Sequence, residues 1–224
     1  MNARRPRDEI AVVWHYATAA VAGLAMATQL VNNIVEAPGR GFAPDPDAYG
    51  SALQRAITYL SFFTTQSNIL ILIGALALAR RPQRSETWVA WVRLSGLVGI
   101  TITFVVNLVV LRPITADLYS GIWVATDFLL HYLTPALAVV GWLLFGPRPR
   151  FGHRALARFL LWPGAWLAYT FVRGAIIDWY PYPFLDVSKL GYVQAFATTA
   201  VVLIIGLGLA LAFIALDRRL AAPP

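Results

Sequence analysis

Two segments of the sequence carry hydroxyl, amide, imidazole and carboxylate side chains at helical spacing. Around the segment FFTTQSNIL, residues 62–70, positions i, i+3, i+4 and i+7 are Ser61, Thr64, Thr65 and Asn68. In the segment DFLLHYLTP, residues 127–135, positions i, i+4 and i+7 are Asp127, His131 and Thr134. Such spacing places each set on one face of a helix. The pattern therefore predicts two polar stripes that could face each other.

The chemistry that these groups could perform is nucleophilic catalysis by a hydroxyl. The chain has no cysteine, so any nucleophile must be an oxygen, a nitrogen or water. The hydroxyl of Thr64 could pass its proton to His131, while Asp127, one turn earlier, could orient the imidazole. Pro135 removes a backbone hydrogen bond at the carbonyl of His131, which predicts a kink or a polar pocket at that level.

Two other functions would use the same polar residues. Ser, Thr and Asn commonly form hydrogen bonds between membrane helices, so a non-catalytic scaffold explains the hydroxyls and amides without chemistry. A pair of ionisable side chains in a span, here Asp127 and His131, would equally serve a transporter of protons or small solutes. Against transport, the sequence shows neither an inverted repeat nor an evident pair of broken helices.

The composition predicts an integral membrane protein built from helices. Of the 224 residues, 58% are hydrophobic and only 13% are charged, which is too apolar for a soluble chain. A membrane-spanning helix needs roughly 20 mostly apolar residues. The runs of this kind are Ile10 to Ile34, Ala56 to Ala79, Trp88 to Leu111, Ile122 to Phe145, Ala155 to Ile177 and Val193 to Leu216. We expect one six-helix transmembrane domain over residues 1–224.

The basic residues predict the orientation of these spans. They cluster at every second boundary between spans, at Arg4, Arg5 and Arg7, at Arg80, Arg81 and Arg84, at Arg148, Arg150, Arg154 and Arg158, and at Arg218 and Arg219. The positive-inside rule then places both termini in the cytoplasm. This arrangement explains the net charge of +7 better than nucleic-acid binding does. The Ala- and Arg-rich composition suggests a bacterial inner membrane.

Counting residues from the outer face compares the depth of the two stripes. Thr64 lies eight residues into the second span, about 12 Å down. His131 lies nine residues into the fourth span, about 13 Å down. The two side chains are therefore expected at the same level, in the outer half of the membrane.

Three segments of the chain resemble a known family. FFTTQSNILI, DFLLHYLTP and WYPYPFLD are similar, in this order, to the recurrent segments of the androgen-induced gene and androgen-dependent TFPI-regulating proteins and their bacterial six-helix relatives, the Pr-six-Pr family. The animal members are membrane threonine hydrolases that cleave fatty acid esters of hydroxy fatty acids. The resemblance implies a lipid esterase with Thr64 as nucleophile and His131 as base, and Thr65 is the alternative nucleophile.

Further residues are expected to support or line this site. Asn68 and Asn107 could donate hydrogen bonds to a developing oxyanion at the depth of Thr64. The substrate pocket is expected to include Ser61, Asn107, Thr134, Arg173 and Tyr182. Arg173 could bind a carboxylate or a headgroup, with an ion pair to Asp178 as the alternative.

We expect neither a cofactor nor a metal at this site. His15 lies near the cytoplasmic end and His131 in the outer half, so the two are not placed to ligate one haem, and the few histidines make a zinc site improbable. His15 is expected at the membrane interface, and Arg93 is expected to extend its charge to the cytoplasmic face. The partners are then a lipid carrying an acyl ester and the membrane lipids, with no nucleic acid. The oligomeric state stays open.

Overall fold

The computed structural model describes residues 6–35, 50–84, 86–115, 117, 120–148 and 151–220, and these contain helices and no strand. The α-helices are α1 (Pro6–Val35), α2 (Ala52–Ser61), α3 (Phe63–Arg80), α4 (Thr87–Val106), α5 (Arg112–Thr115), α6 (Ile122–Phe128), α7 (Thr134–Phe145), α8 (His153–Ile177) and α9 (Val187–Arg219). Two π-helical turns, Asn107–Leu111 and Leu129–Leu133, join α4 to α5 and α6 to α7. A short 3₁₀ turn, Pro183–Leu185, precedes α9.

Six of the helices or joined helices in the described part of the chain are long and apolar enough to cross a membrane. They are α1, α3, the run from α4 to α5 (Thr87–Thr115), the run from α6 to α7 (Ile122–Phe145), most of α8 (Arg154–Ile177) and α9. The prediction of an all-helical chain with six segments long and apolar enough to span a membrane is thus confirmed for the described residues. Many large apolar side chains point outward on these helices, as expected of surfaces that face lipid.

The helices α3 and α4 form the centre of the bundle. The helix α3 packs against α1, α2, α4 and α7, and α4 also packs against α7, α8 and α9. Small residues allow these close contacts: a Cβ at Gly99 of α4 would lie only 2.7 Å from the hydroxyl oxygen of Ser67 on α3. By contrast, α8 and α9 both contact α4 but make little contact with each other. A gap therefore remains between α8 and α9.

The second predicted span is not one continuous helix. This span was predicted as one helix from Ala56 to Ala79, but the helix is interrupted at Phe62, which has an extended backbone (φ −68°, ψ 134°). The ring of Phe62 packs edge-on against Trp179 and Tyr182. No glycine or proline marks this break, so it depends on packing against a distant segment. Its consequence is that Thr64 lies in the first turn of a new helix.

Both π-helical turns lie just before a proline. Thr134 N–H donates to the carbonyl of Leu129, five residues earlier, and Pro135 follows. Arg112 N–H donates in the same way to Asn107, and Pro113 follows. A proline cannot donate to the carbonyl four residues earlier, and its ring crowds that carbonyl, so a wider turn accommodates it. The predicted disturbance at His131 therefore takes the form of a π turn that contains this histidine.

Two residues that were predicted near the cytoplasmic face differ from their predictions. Arg93 was expected to extend its charge to the membrane surface, but only 7% of it is exposed. His15 was expected at the interface and is only 6% exposed. Both line a small cavity between α1, α3, α4 and α7. Packing of α1 and α7 over α4 covers them, which position along the chain does not reveal.

Candidate active site

The hydroxyl of Thr64 and the imidazole of His131 lie within hydrogen-bonding range of each other. Thr64 Oγ1 is 3.3 Å from His131 Nε2, so the structure brings together the two side chains that residue counting placed at one level. Thr64 comes from the first turn of α3, and His131 from the π turn between α6 and α7. The contact is part-buried, with 13% of the His131 side chain exposed. A nucleophile and a base of this kind form the core of a hydroxyl-dependent hydrolase.

Asp127 holds the other side of the imidazole. His131 Nδ1 lies 2.9 Å from Asp127 Oδ1 and 3.1 Å from the backbone oxygen of the same residue. Both neighbours are hydrogen-bond acceptors only, so Nδ1 must carry a proton, and in the neutral ring Nε2 accepts. The hydroxyl of Thr64 is then the donor to Nε2. This is the proton arrangement that a base needs before it deprotonates a hydroxyl.

Asp127 itself is buried and paired with an arginine. Its Oδ2 lies 3.4 Å from Nη1 of Arg112, the residue that follows the first π turn. Because 45% of the Arg112 side chain is exposed, this arginine connects the buried carboxylate to the outside of the bundle. A buried carboxylate needs such a partner to keep its charge. The residues Arg112, Asp127, His131 and Thr64 thus form one continuous polar chain.

Tyr182 lies on the opposite side of Thr64 from this chain. Its phenol oxygen is 3.3 Å from Thr64 Oγ1 and accepts hydrogen bonds from the backbone N–H groups of Thr64, at 3.2 Å, and Phe63. Burial raises the pKa of Tyr182, and these hydrogen bonds oppose it without cancelling it, so the phenol stays neutral. Since Thr64 gives its proton to His131, the phenol proton points to Thr64 Oγ1.

Asn68 connects two parts of the site, but both hydrogens of its side-chain amide are already used in hydrogen bonds and none is left for an oxyanion. Its Nδ2 donates to the carbonyls of Thr64, at 2.9 Å, and Leu130, at 3.4 Å. These bonds tie α3 to the π turn that carries His131. The predicted role of Asn68 as an oxyanion donor is therefore not supported by this arrangement, although helix phase correctly placed it beside Thr64. By contrast, the phenol oxygen of Tyr182 lies 3.3 Å from Thr64 Oγ1.

Thr65 and Ser61 face away from His131. Thr65 is buried and forms a hydrogen bond with Tyr59 on α2. Ser61, the last residue of α2, lies 2.7 Å from the hydroxyl of Tyr169, and its backbone oxygen accepts from Trp166 at 2.8 Å. The predicted stripe assumed one helix, and the break at Phe62 turns Ser61 toward α8. Of the hydroxyls in this region, that of Thr64 reaches the imidazole.

Asn107, Thr134 and Arg173 are not brought into contact with Thr64. Asn107 begins the first π turn, and Thr134 is fully buried just after the second, where the wider turn shifts its phase relative to His131. Arg173 donates to the hydroxyl of Thr58 at 2.9 Å and lies 4.7 Å from the centre of the Trp179 ring. No ion pair joins it to Asp178 within the described residues. Arg173 thus supports the aromatic segment before α9.

An apolar pocket adjoins Thr64. It lies between α4, α8 and α9 and holds about 760 Å³ of empty space when its open part is counted. Its lining includes Thr64, Tyr182, Trp166 and Gly206, and no charged side chain of the described residues takes part. His131 does not line this pocket, so Thr64 separates the base from the apolar space. A substrate in the pocket would thus meet the hydroxyl of Thr64 at the pocket wall, next to the base.

Two residues of the site, Arg112 and Tyr182, make contacts that were not predicted from the sequence. Arg112 was given no role from the sequence, although its place directly after the third span could have suggested a partner for an acid on the fourth. Tyr182 was expected to line the pocket, but nothing in WYPYPFLD indicates a bond to the backbone of α3. Among the described residues no three metal-ligating side chains come together.

No protein-family model, curated protein or solved structure matches this chain. The family resemblance of the three segments therefore stays a proposal. The geometry around Thr64 carries the functional argument.

Proposed function

We propose that this protein is an intramembrane hydrolase of lipid esters that uses Thr64 as nucleophile and His131 as general base. The observation that carries the proposal is the contact of Thr64 Oγ1 with Nε2 of an imidazole whose Nδ1 faces a buried carboxylate. Packing between helices explains a threonine or an asparagine in a span, but it does not require this ordered sequence of hydroxyl, imidazole and carboxylate.

The first half of the reaction forms an acyl-threonine. As Thr64 Oγ1 attacks the ester carbonyl, its proton moves to Nε2 of His131, and the carbonyl oxygen becomes an oxyanion. The tetrahedral intermediate then collapses, the bond to the alcohol oxygen breaks, and His131 returns the proton to that oxygen. Asp127, which lies between His131 and Arg112, stabilises the imidazolium in between.

The second half releases the acid. Water gives a proton to His131 Nε2 while its oxygen attacks the acyl carbon, and the intermediate collapses with Thr64 Oγ1 as the leaving group. His131 returns the proton to Thr64, so the enzyme is restored and a fatty acid is formed. In both halves the oxyanion needs a preorganised donor, and the neutral phenol of Tyr182 beside Thr64 Oγ1 is the best placed one.

The substrate class that we propose is a fatty acid ester of a hydroxy fatty acid or a related acyl ester. The resemblance of the three segments supports it, together with a nucleophile placed next to an apolar pocket inside a membrane domain. We further propose that both termini lie in the cytoplasm and that the site opens nearer the outer face of a bacterial inner membrane. The positions of the arginine clusters support this orientation.

A covalent probe for serine and threonine hydrolases tests this function. The purified protein in lipid nanodiscs is expected to react with an alkyl fluorophosphonate and to hydrolyse lipid esters, and peptide mass spectrometry should find the adduct on Thr64. Protein that neither reacts nor hydrolyses any ester, but moves protons or a solute across liposomes, would show instead that the Asp127–His131 pair serves transport. Absence of all three activities would favour a scaffold.

A further inference from the structure

The apolar pocket beside Thr64 is elongated and follows the direction of the helices. On α8 its lining runs from Phe159 to Leu167, and on α9 from Thr199 to Gly206. Each of these stretches covers two turns, which corresponds to a length of about 10–12 Å. Since α8 and α9 run in opposite directions, Leu167 and Thr199 lie at the same end. The pocket therefore has one end near the 3₁₀ turn before α9 and another end deeper in the bundle.

The two ends of the pocket differ in chemistry. At the end near the 3₁₀ turn the lining includes Thr64 and Tyr182, the nucleophile and the phenol of the candidate site. At the deep end Gly206 lies beside Ile102 of α4 and Phe159 of α8, and these residues offer a ligand only apolar contacts. No charged side chain of the described residues lines the pocket, and next to Ile102 only the hydroxyl of Thr103 is without a hydrogen-bond partner, so a charged or sugar-bearing group would lose its hydration there for at most this one bond. A narrow apolar ligand with one reactive polar end fits both parts.

The side of the pocket is open to the surroundings of the bundle. The helices α8 and α9 pack on α4, and apart from the edge-on contact of Phe171 with Phe196 they make little contact with each other, so the pocket between them is partly open to the outside. Thr199 does not add a free donor to this path, because its hydroxyl donates to the carbonyl of Ala195 at 2.7 Å. A ligand from the lipid phase could thus enter sideways without crossing a charged region.

We propose that this pocket is the binding site for the acyl chain of the substrate, with the ester carbonyl at Thr64 and the methyl end at Gly206. The assignment rests on the proposed function, since it is the nucleophile at one end that distinguishes a substrate chain from a structural lipid tail. It predicts that the enzyme selects esters by the length of the acyl chain, and that the deep end of the pocket sets this selection.

The substitution Gly206→Leu tests the assignment. A Cβ at this position would lie 3.2 Å from Cδ1 of Ile102, so a larger side chain has to extend into the deep end. Gly208→Leu is the matched control, because this glycine is two residues away on the opposite, exposed side of α9 and a Cβ there meets no atom within 4 Å. Both variants receive the same side chain in the same helix, and only one of them shortens the pocket.

The measurement is kcat/KM on the p-nitrophenyl esters of butyric and decanoic acid, with the protein in lipid nanodiscs. Gly206→Leu is expected to lower the value for the decanoate by at least about tenfold, since several methylenes lose their site, and to leave the butyrate within about twofold. Gly208→Leu should leave both values unchanged. Leu203→Phe, which fills the same pocket from almost one turn earlier on α9, carries the same expectation and replaces Gly206→Leu if that variant does not fold.

The possible results separate the two proposals. An active wild type whose ratio of decanoate to butyrate hydrolysis is the same in Gly206→Leu and Leu203→Phe overturns the acyl-chain assignment and leaves the hydrolase standing. An equal loss on both esters also overturns it, because a shortened pocket must spare the short chain. A wild type that hydrolyses neither ester and does not react with the fluorophosphonate at Thr64 overturns both.

Discussion

Thr64 Oγ1 lies 3.3 Å from His131 Nε2, although the two residues are 67 positions apart in the chain. The distance is at the long end of hydrogen-bonding range, as is common for catalytic pairs without substrate. Thr64 is held by the start of α3 and His131 by a π turn, so two backbone irregularities meet at this contact.

The identity of the nucleophile is tested by exchanging neighbouring hydroxyls. Thr64→Ala should lower kcat/KM by at least about 10³-fold and abolish reaction with the fluorophosphonate, because no other hydroxyl in the region reaches His131. Thr65→Ala should retain activity within about threefold, since its side chain faces Tyr59. Thr64→Ser, which keeps the oxygen, should keep the labelling. Loss of labelling in Thr65→Ala alone would transfer the role to that residue.

Replacing Asp127 should weaken the base without removing it. In Asp127→Asn the backbone oxygen of residue 127 still accepts from Nδ1, at 3.1 Å in the wild type, so part of the correct tautomer survives. We expect kcat to fall by about 10²-fold, less than when a carboxylate is the sole orienting group. Steady-state ester hydrolysis measures this, and His131→Ala should lose far more. An Asp127→Asn variant with wild-type kcat would refute the role of the carboxylate.

The role of Tyr182 predicts a separation of kcat from KM. Tyr182→Phe removes the phenol proton beside Thr64 Oγ1 but keeps the ring that stacks on Phe184. Loss of one oxyanion donor should lower kcat by about 10²-fold with little change in KM. Tyr180→Phe, at the half-buried neighbouring tyrosine, is the control and should leave both kcat and KM unchanged. A rise in KM at constant kcat would instead assign Tyr182 to substrate binding.

Asn68 is expected to matter for stability more than for chemistry. Asn68→Ala removes the bonds to Thr64 and Leu130 in a fully buried position and should cost about 1–3 kcal/mol of unfolding free energy. Asn33→Ala is a suitable control, because among the described residues that amide donates only to Gln29, within its own helix. The apparent melting temperature in detergent should fall clearly for Asn68→Ala and little for Asn33→Ala. Equal shifts would argue against a bridge between helices.

The start of α9 should become less stable in acid. Burial acts to raise the pKa of Asp186, but hydrogen bonds from Ser188 and Lys189 outweigh it and leave this pKa below its usual value. The charged carboxylate therefore stabilises the fold above the ordinary Asp pKa, and this contribution disappears as the pH falls through the lowered value. Asp186 caps α9 just after the turn that carries Tyr182.

The measurement for this prediction is hydrogen exchange of α9 across acidic pH. Exchange at the first turn should rise as the pH falls below the usual Asp range, and Asp186→Asn should exchange faster already at neutral pH, with little further change in acid. A pH profile of the variant that matches the wild type would show that another group controls this helix end.

Depth along a span could be predicted because it depends on counting residues from the membrane surface. For Thr64 and His131 this count was sufficient, since both spans enter from the same side and helical rise is constant. It failed for Arg93, whose position near a helix end suggested access to the surface. Whether such a side chain reaches water depends on the neighbouring helices, and here they cover it.

Hydrogen-bond roles were harder to predict than positions. Helix phase placed Asn68 beside Thr64, but its amide hydrogens are used by two carbonyls, one of them on another helix. One of these carbonyls belongs to the π turn, and the other lies in the first turn after the break at Phe62. Both irregular turns therefore determine where the two acceptors lie. A periodic pattern assumes regular helices, so it cannot indicate which backbone groups an irregular turn leaves without a partner.

The sequence by itself determined that this chain is helical, has six segments able to span a membrane, and carries a hydroxyl and an imidazole at one depth. These properties follow from local hydropathy and helical periodicity. Only the tertiary structure decided that α3 begins at Phe63, that Tyr182 binds at that helix start, and that Arg112 pairs with Asp127. Each of these depends on contacts between residues far apart in the chain, whose energies no local pattern contains.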